Sequence, residues 1–207
     1  NRRKKSKTGL TPRDFNKGML DFILFNRYVA KTAAVSNPSE YKTRDKERPV
    51  NDFMRSVSIR LAKILINLSQ TDKKELLLDP FCGIGIILQE AALMNVNVVG
   101  VDIDPKLAES ALLNVKFTAK KNDCKSSFSV YNDDAVNLKH IFSKGSIDGI
   151  ATEPYMGPYF NKRPTREEAM KVAKELNTLY LRFFGTLKHI LKKNAKVAIV
   201  IPIIKTN

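Results

Sequence analysis

Two clusters in this sequence combine residue types and spacings that can do chemistry. The first is Asp79-Pro80-Phe81-Cys82-Gly83-Ile84-Gly85, an acid ahead of a turn with two glycines one residue apart. Glycine lets a backbone turn sharply and come close to a ligand. The second is Glu153-Pro154-Tyr155, which sets a carboxylate beside an aromatic ring. Between them Asp102 and the pair Asp133-Asp134 each stand close behind an apolar run. An acid in the place of Asp102 can hold both hydroxyls of a ribose. The third glycine of the dinucleotide fingerprint is missing, since Leu88 stands three residues after Gly85. A strand, a glycine turn of this kind and a helix fit the phosphate- or nucleoside-binding corner of an open α/β sheet. Cys82, Cys124, His140 and His189 show no paired ligand spacing, so no metal site is expected.

Positioning these groups requires an alternation of strands and helices. Leu76–Leu78 is a short apolar strand, and Ile86–Ala92 after the glycine turn is a helix. Val96–Val101 is a second strand. Asp104-Pro105 starts a helix, with Asp as cap and Pro in its first turn. Phe128–Tyr131 and Ile147–Thr152 are the third and fourth strands. A helix from Arg166 to Lys193 buries Leu176, Leu179, Tyr180, Phe183, Phe184, Leu187, Ile190 and Leu191, with Gly185 as a candidate break. Lys196–Ile204 is the fifth strand. This predicts an α/β fold with a doubly wound, mostly parallel Rossmann-like sheet in the order 3-2-1-4-5, its ligand at the switch between strands 1 and 4.

Ahead of this lie a basic tail, a helix entered at Thr11-Pro12 with Phe15, Met19, Phe22, Ile23 and Phe25 on its apolar face, and the charged stretch Tyr41–Pro49. An amphipathic helix spans Ile59–Leu68. The expected division is residues 1–40 as tail, helix and linker, and 41–207 as the catalytic domain.

The 207 residues carry a formal net charge of +15, with 43% hydrophobic and 28% charged residues. That is globular composition with an excess suited to a polyanion, most simply nucleic acid. Arg2, Arg3, Lys4 and Lys5 in the tail, and Lys162, Arg163 and Arg166 just after the Glu153 cluster, are its candidate contacts. No apolar run reaches the roughly 18 residues of a membrane span, and a reducing cytoplasm fits the two isolated cysteines.

The Asp-Pro-Phe-Cys-Gly-x-Gly run with Gly100-Val101-Asp102-Ile103-Asp104 downstream resembles the class I S-adenosylmethionine-dependent methyltransferases, especially those acting on exocyclic amines of nucleobases. From about Tyr41 to Tyr155 the chain is similar to the archaeal and eukaryotic tRNA guanosine N2-methyltransferases. The Arg44-Asp45-x-x-Arg48-Pro49 loop before a helix ending Ile66-Asn67-Leu68 carries that narrower likeness. It departs where that family has Met-Leu-Pro-Pro-Lys, for here the segment is Val57-Ser58-Ile59-Arg60. The family's N-terminal RNA-binding module is not expected within these residues.

The resemblance implies S-adenosylmethionine as cofactor, held by Asp79, Phe81, Gly83, Gly85, Asp102, Ile103, Asp133, Asp134 and Ala135, with Asp134 or else Asp133 accepting from the adenine amino group. It implies a catalytic set of Thr152, Glu153, Pro154 and Tyr155 where amino-methyltransferases carry Asp/Asn-Pro-Pro-Tyr. Strict alignment sets Thr152 on the acid and Glu153 on the first proline. The expected activity is methyl transfer to guanosine N2 of RNA, tRNA first, with room for a small activating partner subunit. The alternatives are a DNA adenine-N6 or cytosine-N4 methyltransferase, and a catalytically degenerate RNA-binding subunit. Class I enzymes add a helix and two strands after the fifth strand, so the chain is expected to continue beyond Asn207.

Overall fold

The structure, a computed structural model, describes residues 11, 17–35, 37–52 and 56–206. The chain divides into two compact units that meet between Glu47 and Arg48.

The first unit holds a hairpin and a helix. Strands β1 (Phe22–Phe25) and β2 (Tyr28–Lys31) pair antiparallel, with Phe25 opposite Tyr28. Phe22, Ile23 and Phe25, expected on the apolar face of a helix, thus lie on a strand; Met19 precedes it and Phe15 falls outside the described residues. Asn26 takes a left-handed φ of 52° in the two-residue turn, a conformation asparagine tolerates and a tight hairpin needs. The aromatic and β-branched residues on either side favour strands. The helix start at Thr11-Pro12 falls largely outside the described residues. Helix α1 (Pro38–Glu47) replaces most of the expected charged loop, and none of its side chains is buried.

The second unit is the α/β layer. Helix α2 (Ile59–Ser69) begins where the Ser58 side chain accepts from the Leu61 N–H. Strand β3 (Leu76–Asp79) leads through the glycine turn into α3 (Ile86–Leu93). Strand β4 (Asn97–Asp102) is followed by α4 (Pro105–Lys121), which the Asp104 carboxylate caps by accepting from the Lys106 N–H. After β5 (Phe128–Asn132) come a 3-10 turn at Ala135–Asn137 and the short α5 (Leu138–Ile141). Then follow β6 (Ile147–Thr152), the long α6 (Arg166–Ile190) and β7 (Leu191–Ile199).

The five strands form a parallel sheet in the order β5-β4-β3-β6-β7, which is the 3-2-1-4-5 order read from the sequence. The core on one face joins Leu78, Val101 and Ile150 of the sheet to Leu138, Phe183, Leu187 and Ile190. Each such side chain contributes roughly 1.5–3 kcal/mol on burial.

Two boundaries differ from expectation. Gly185 does not break α6, and a Cβ there would meet nothing within 4 Å. The final strand begins at Leu191 rather than Lys196 and ends at Ile199 rather than Ile204. Leu191 packs on the core opposite Ile147, and a bulge between Ile147 and Gly149, with Asn194 at φ 70°, absorbs the extra residues. Pro202 then lacks the N–H a ladder needs.

Candidate active site

Because β3, β4 and β6 run parallel, their C-terminal ends bring Asp79, Asp102 and Thr152 to one edge of the sheet. The order reverses direction at β3, whose neighbours are β4 and β6. A small open cleft lies at this switch, lined by Ser56, Val57, Asp79, Phe81–Ile84, Ile86, Ile87 and Glu153. The two clusters picked out by their chemistry therefore share one cavity.

Asp79 is the most buried of its acids, at 1% exposure. Its Oδ1 accepts a 2.7 Å hydrogen bond from Thr152 Oγ1 and a longer one from the Phe81 N–H. Burial pushes its carboxyl up to about 7; the Thr152 and Phe81 hydrogen bonds oppose that rise, and the nearby charges of Asp102 and Glu153 add to it. Thr152 itself is fully buried and does not line the cavity. Its hydroxyl is committed to Asp79, so it supports an acid rather than presenting a group to a substrate.

Asp102 organises the turn. Its Oδ2 accepts from the Gly83 N–H at 2.8 Å and its Oδ1 from the Asp104 N–H at 3.0 Å. Each carboxylate oxygen keeps a further lone pair to offer a donor. Gly83 has φ 51°, and where its Cβ would stand nothing lies within 4 Å. The turn is thus a cradle that a side chain would partly fill. At Gly85, φ 81°, the backbone passes so close to α4 that a Cβ would lie 3.0 Å from Ala111 Cα.

A set of buried polar side chains beneath the turn escaped the sequence reading. Asn114 Nδ2 donates to the carbonyls of Ile84 and Val50, and its Oδ1 accepts from the Val50 N–H. Gln89 donates to the Gly85 carbonyl and accepts from Thr118. Asn114 thus gives the Ile84 carbonyl a partner, and Gln89 adds a second bond to a Gly85 carbonyl that already accepts from the Gln89 N–H. The signal was present: Asn114 and Thr118 fall on the same face of α4 as Ala111 and Val115, where an apolar residue is the default.

Beyond the end of β5, the Asp134 carboxylate caps the 3-10 turn by accepting from the Val136 N–H. Asp133 Oδ1 accepts from the Asp134 N–H and from Asn137, and the Asp133 N–H donates to the Asp102 carbonyl. Asp133 thus sits beside Asp102; none of Asp102, Asp133, Asp134 and the buried Ala135 lines the cleft. Ile103 is exposed.

Glu153 stands at the lip of the cleft, half-buried, and desolvation raises its carboxyl. Pro154 is buried, whereas the ring of Tyr155 is 58% exposed. Lys162, Arg163 and Arg166 are exposed on the segment that leaves this edge. Arg2, Arg3, Lys4 and Lys5 lie outside the described residues. Among the described residues no group of His, Cys, Asp or Glu could hold a metal ion, and no helix is long and apolar enough to cross a membrane.

Several known proteins are similar to this chain. A protein of Methanothermobacter thermautotrophicus named tRNA (guanine(10)-N2)-dimethyltransferase is 35% identical over 66% of this chain and 37% of its own length. One of the same name from Pyrococcus abyssi is 31% identical over 72% of this chain and 42% of its own length. The chain thus spans about two fifths of these relatives. The crystal structure of TrmN from Thermus thermophilus superposes with a TM-score of 0.54 and 25% identity, over 72% of this chain and 40% of that one. A possible methylase of Clostridium difficile shares the fold at a TM-score of 0.52. Residues 50–206 match the family described as UPF0020, RMKL-like, methyltransferase domain; the match runs through both chemical clusters and most of the chain, and the protein belongs to that family.

Proposed function

We propose that this chain is the catalytic part of an S-adenosylmethionine-dependent enzyme that methylates the exocyclic N2 of a guanosine in tRNA. The observation that carries this reading is the shared cleft: the glycine turn and Glu153 line the same cavity, so a nucleoside-holding surface and an amine acceptor face each other. The names of the relatives direct attention to guanosine 10 of tRNA.

When bound, S-adenosylmethionine supplies an electrophilic methyl group. Asp102, with both oxygens already ordered by backbone N–H groups, suits the ribose hydroxyls. Gly83, where a Cβ would meet nothing within 4 Å, leaves the backbone open to close approach, and Gly85 lets the turn pack against Ala111. Asp133 and Asp134, beyond Asp102, suit the adenine amino group. On the acceptor side a guanine amine is unprotonated at neutral pH, so no strong base is required before attack. The need is for an acceptor that orients its N–H bonds and stabilises positive charge growing on nitrogen. A carboxylate in a partly dry site does this well, and Glu153 is the acid at the lip. Its raised pKa brings it nearer to the range in which it can take the departing proton. The exposed Tyr155 ring offers a stacking face, worth roughly 1–3 kcal/mol per base. The target base has to leave its stack to reach the cleft.

The test is transfer of a radiolabelled methyl group from S-adenosylmethionine to tRNA transcripts with guanosine or inosine at position 10, alongside duplex DNA. Inosine lacks the N2 amine. Label on the guanosine transcript only is the expected result. Label on DNA instead moves the substrate to an adenine or cytosine amine. Cofactor binding without transfer to any nucleic acid overturns the catalytic reading.

A further inference from the structure

Behind the Glu153-Pro154-Tyr155 turn the chain is held against a single helix. Residues 153–165 between β6 and α6 form no regular secondary structure. Tyr180 of α6, only 8% exposed, packs with Val172 and Leu176. Its hydroxyl donates a 2.8 Å hydrogen bond to the Tyr155 carbonyl. Two residues further on, Gly157 has φ 95° and passes so near the same helix that a Cβ would stand 2.8 Å from Val172 Cγ1.

These contacts place the backbone of the turn and leave the Tyr155 ring in solvent. The Tyr155 peptide plane is set by Tyr180, while the Tyr155 ring is exposed and Tyr159, at 85%, more so. Fixing that plane limits where Glu153 and Tyr155, on either side of a rigid proline, can point. Burial also pushes the Tyr180 phenol pKa up, so the hydroxyl remains a donor throughout the neutral range.

We propose that Tyr180 is a positioning residue for the acceptor side of the site: through the Tyr155 carbonyl it holds the Glu153–Tyr155 turn at the lip of the cleft. This rests on the methyl-transfer reading above. Tyr180 does not line the cleft and acts only through the turn. A misplacement of about 1 Å at a reacting centre can cost on the order of a hundredfold in rate.

The experiment compares the parent chain with Tyr180→Phe, which removes the hydroxyl and keeps the packed ring. Three quantities are measured: cofactor affinity and stoichiometry by calorimetry, kcat and KM on tRNA, and hydrogen exchange of the 155–160 amides by mass spectrometry. With one neutral hydrogen bond lost, loop exchange should rise roughly five- to tenfold. Exchange in α6 and cofactor affinity should stay within twofold, and kcat should fall about tenfold while KM for tRNA changes less. Unchanged loop exchange overturns the proposal. So does faster loop exchange with unaltered kcat in an active parent. Faster exchange throughout α6 with loss of cofactor binding reduces Tyr180 to a packing residue and overturns it as well. A parent chain that transfers no methyl group defeats the methyl-transfer reading separately, and the exchange arm still decides whether Tyr180 holds the turn.

Discussion

Asp79 and Asp102 stand on the ends of central strands, each carboxylate engaged by hydrogen bonds from the turn or from a neighbouring strand. Glu153 and Tyr155 stand on an irregular segment fastened to α6 by the Tyr180 hydrogen bond, the close approach of Gly157 and the packing of Phe160. The Asp79–Asp102 side, proposed for the nucleoside, is built into the sheet, and Asn114 and Gln89 brace the turn through the Ile84 and Gly85 carbonyls. The acceptor side hangs from a helix and leaves its aromatic ring in solvent. A sheet can preorganise a constant ligand, while an irregular segment can fit a large and varied one. The difference teaches that substitutions on the two sides should fail in different ways.

The largest expected effect breaks the acceptor side alone. Glu153→Gln should lower kcat on tRNA about ten- to a thousandfold, as loss of one charge-stabilising contact does, with cofactor affinity unchanged by calorimetry. Equal turnover would give the amine to another acceptor.

Asp79 tests whether the nucleoside side carries internal strain. Its folded pKa of about 7 lies above the ordinary value of 3.8, so the folded state holds a proton that the unfolded chain releases. The stabilising contribution of that retained proton is full below about pH 4 and is lost as pH rises through 7. Thermal unfolding should therefore show stability declining across that window, by at most about 4 kcal/mol. Asp79→Asn, which can still accept from Thr152, should flatten the decline. An unchanged pH profile in the variant would assign it to other groups.

Asp102→Ala should weaken cofactor binding by roughly 1–3 kcal/mol through loss of a charged acceptor, measured by calorimetry. In active variants kcat at saturating cofactor should change far less. A kcat loss matching that of Glu153→Gln would erase the distinction between the two sides.

The smallest effect concerns the basic segment. The log of tRNA affinity should fall linearly with the log of salt concentration. Replacing Lys162, Arg163 or Arg166 by Ala should each reduce that slope by up to about one. A flat salt response would remove the charge from RNA binding.

Much of this architecture is legible without coordinates because its signals are local. Leu76–Leu78 and Ile147–Thr152 are apolar runs that end at an acid or a polar residue, as buried parallel strands do. Asp104-Pro105 starts its helix with side-chain chemistry confined to three residues. The hairpin at Phe22–Lys31 was misread because aromatic residues three and four apart satisfy a helical period as well as a strand. The choice there fell to Asn26 and its left-handed turn.

The sequence by itself determined the glycine turn, the strand order that follows from its alternating elements, and the acids that end the strands. Tertiary structure alone decided that Thr152 faces Asp79 rather than the cleft, that Asn114 ties the glycine turn to Val50, and that Tyr180 reaches the Tyr155 carbonyl. These pairs join residues distant in sequence. Periodicity tells which face of an element is buried, but a hydrogen bond between two elements depends on their register and on the last few tenths of an ångström of packing.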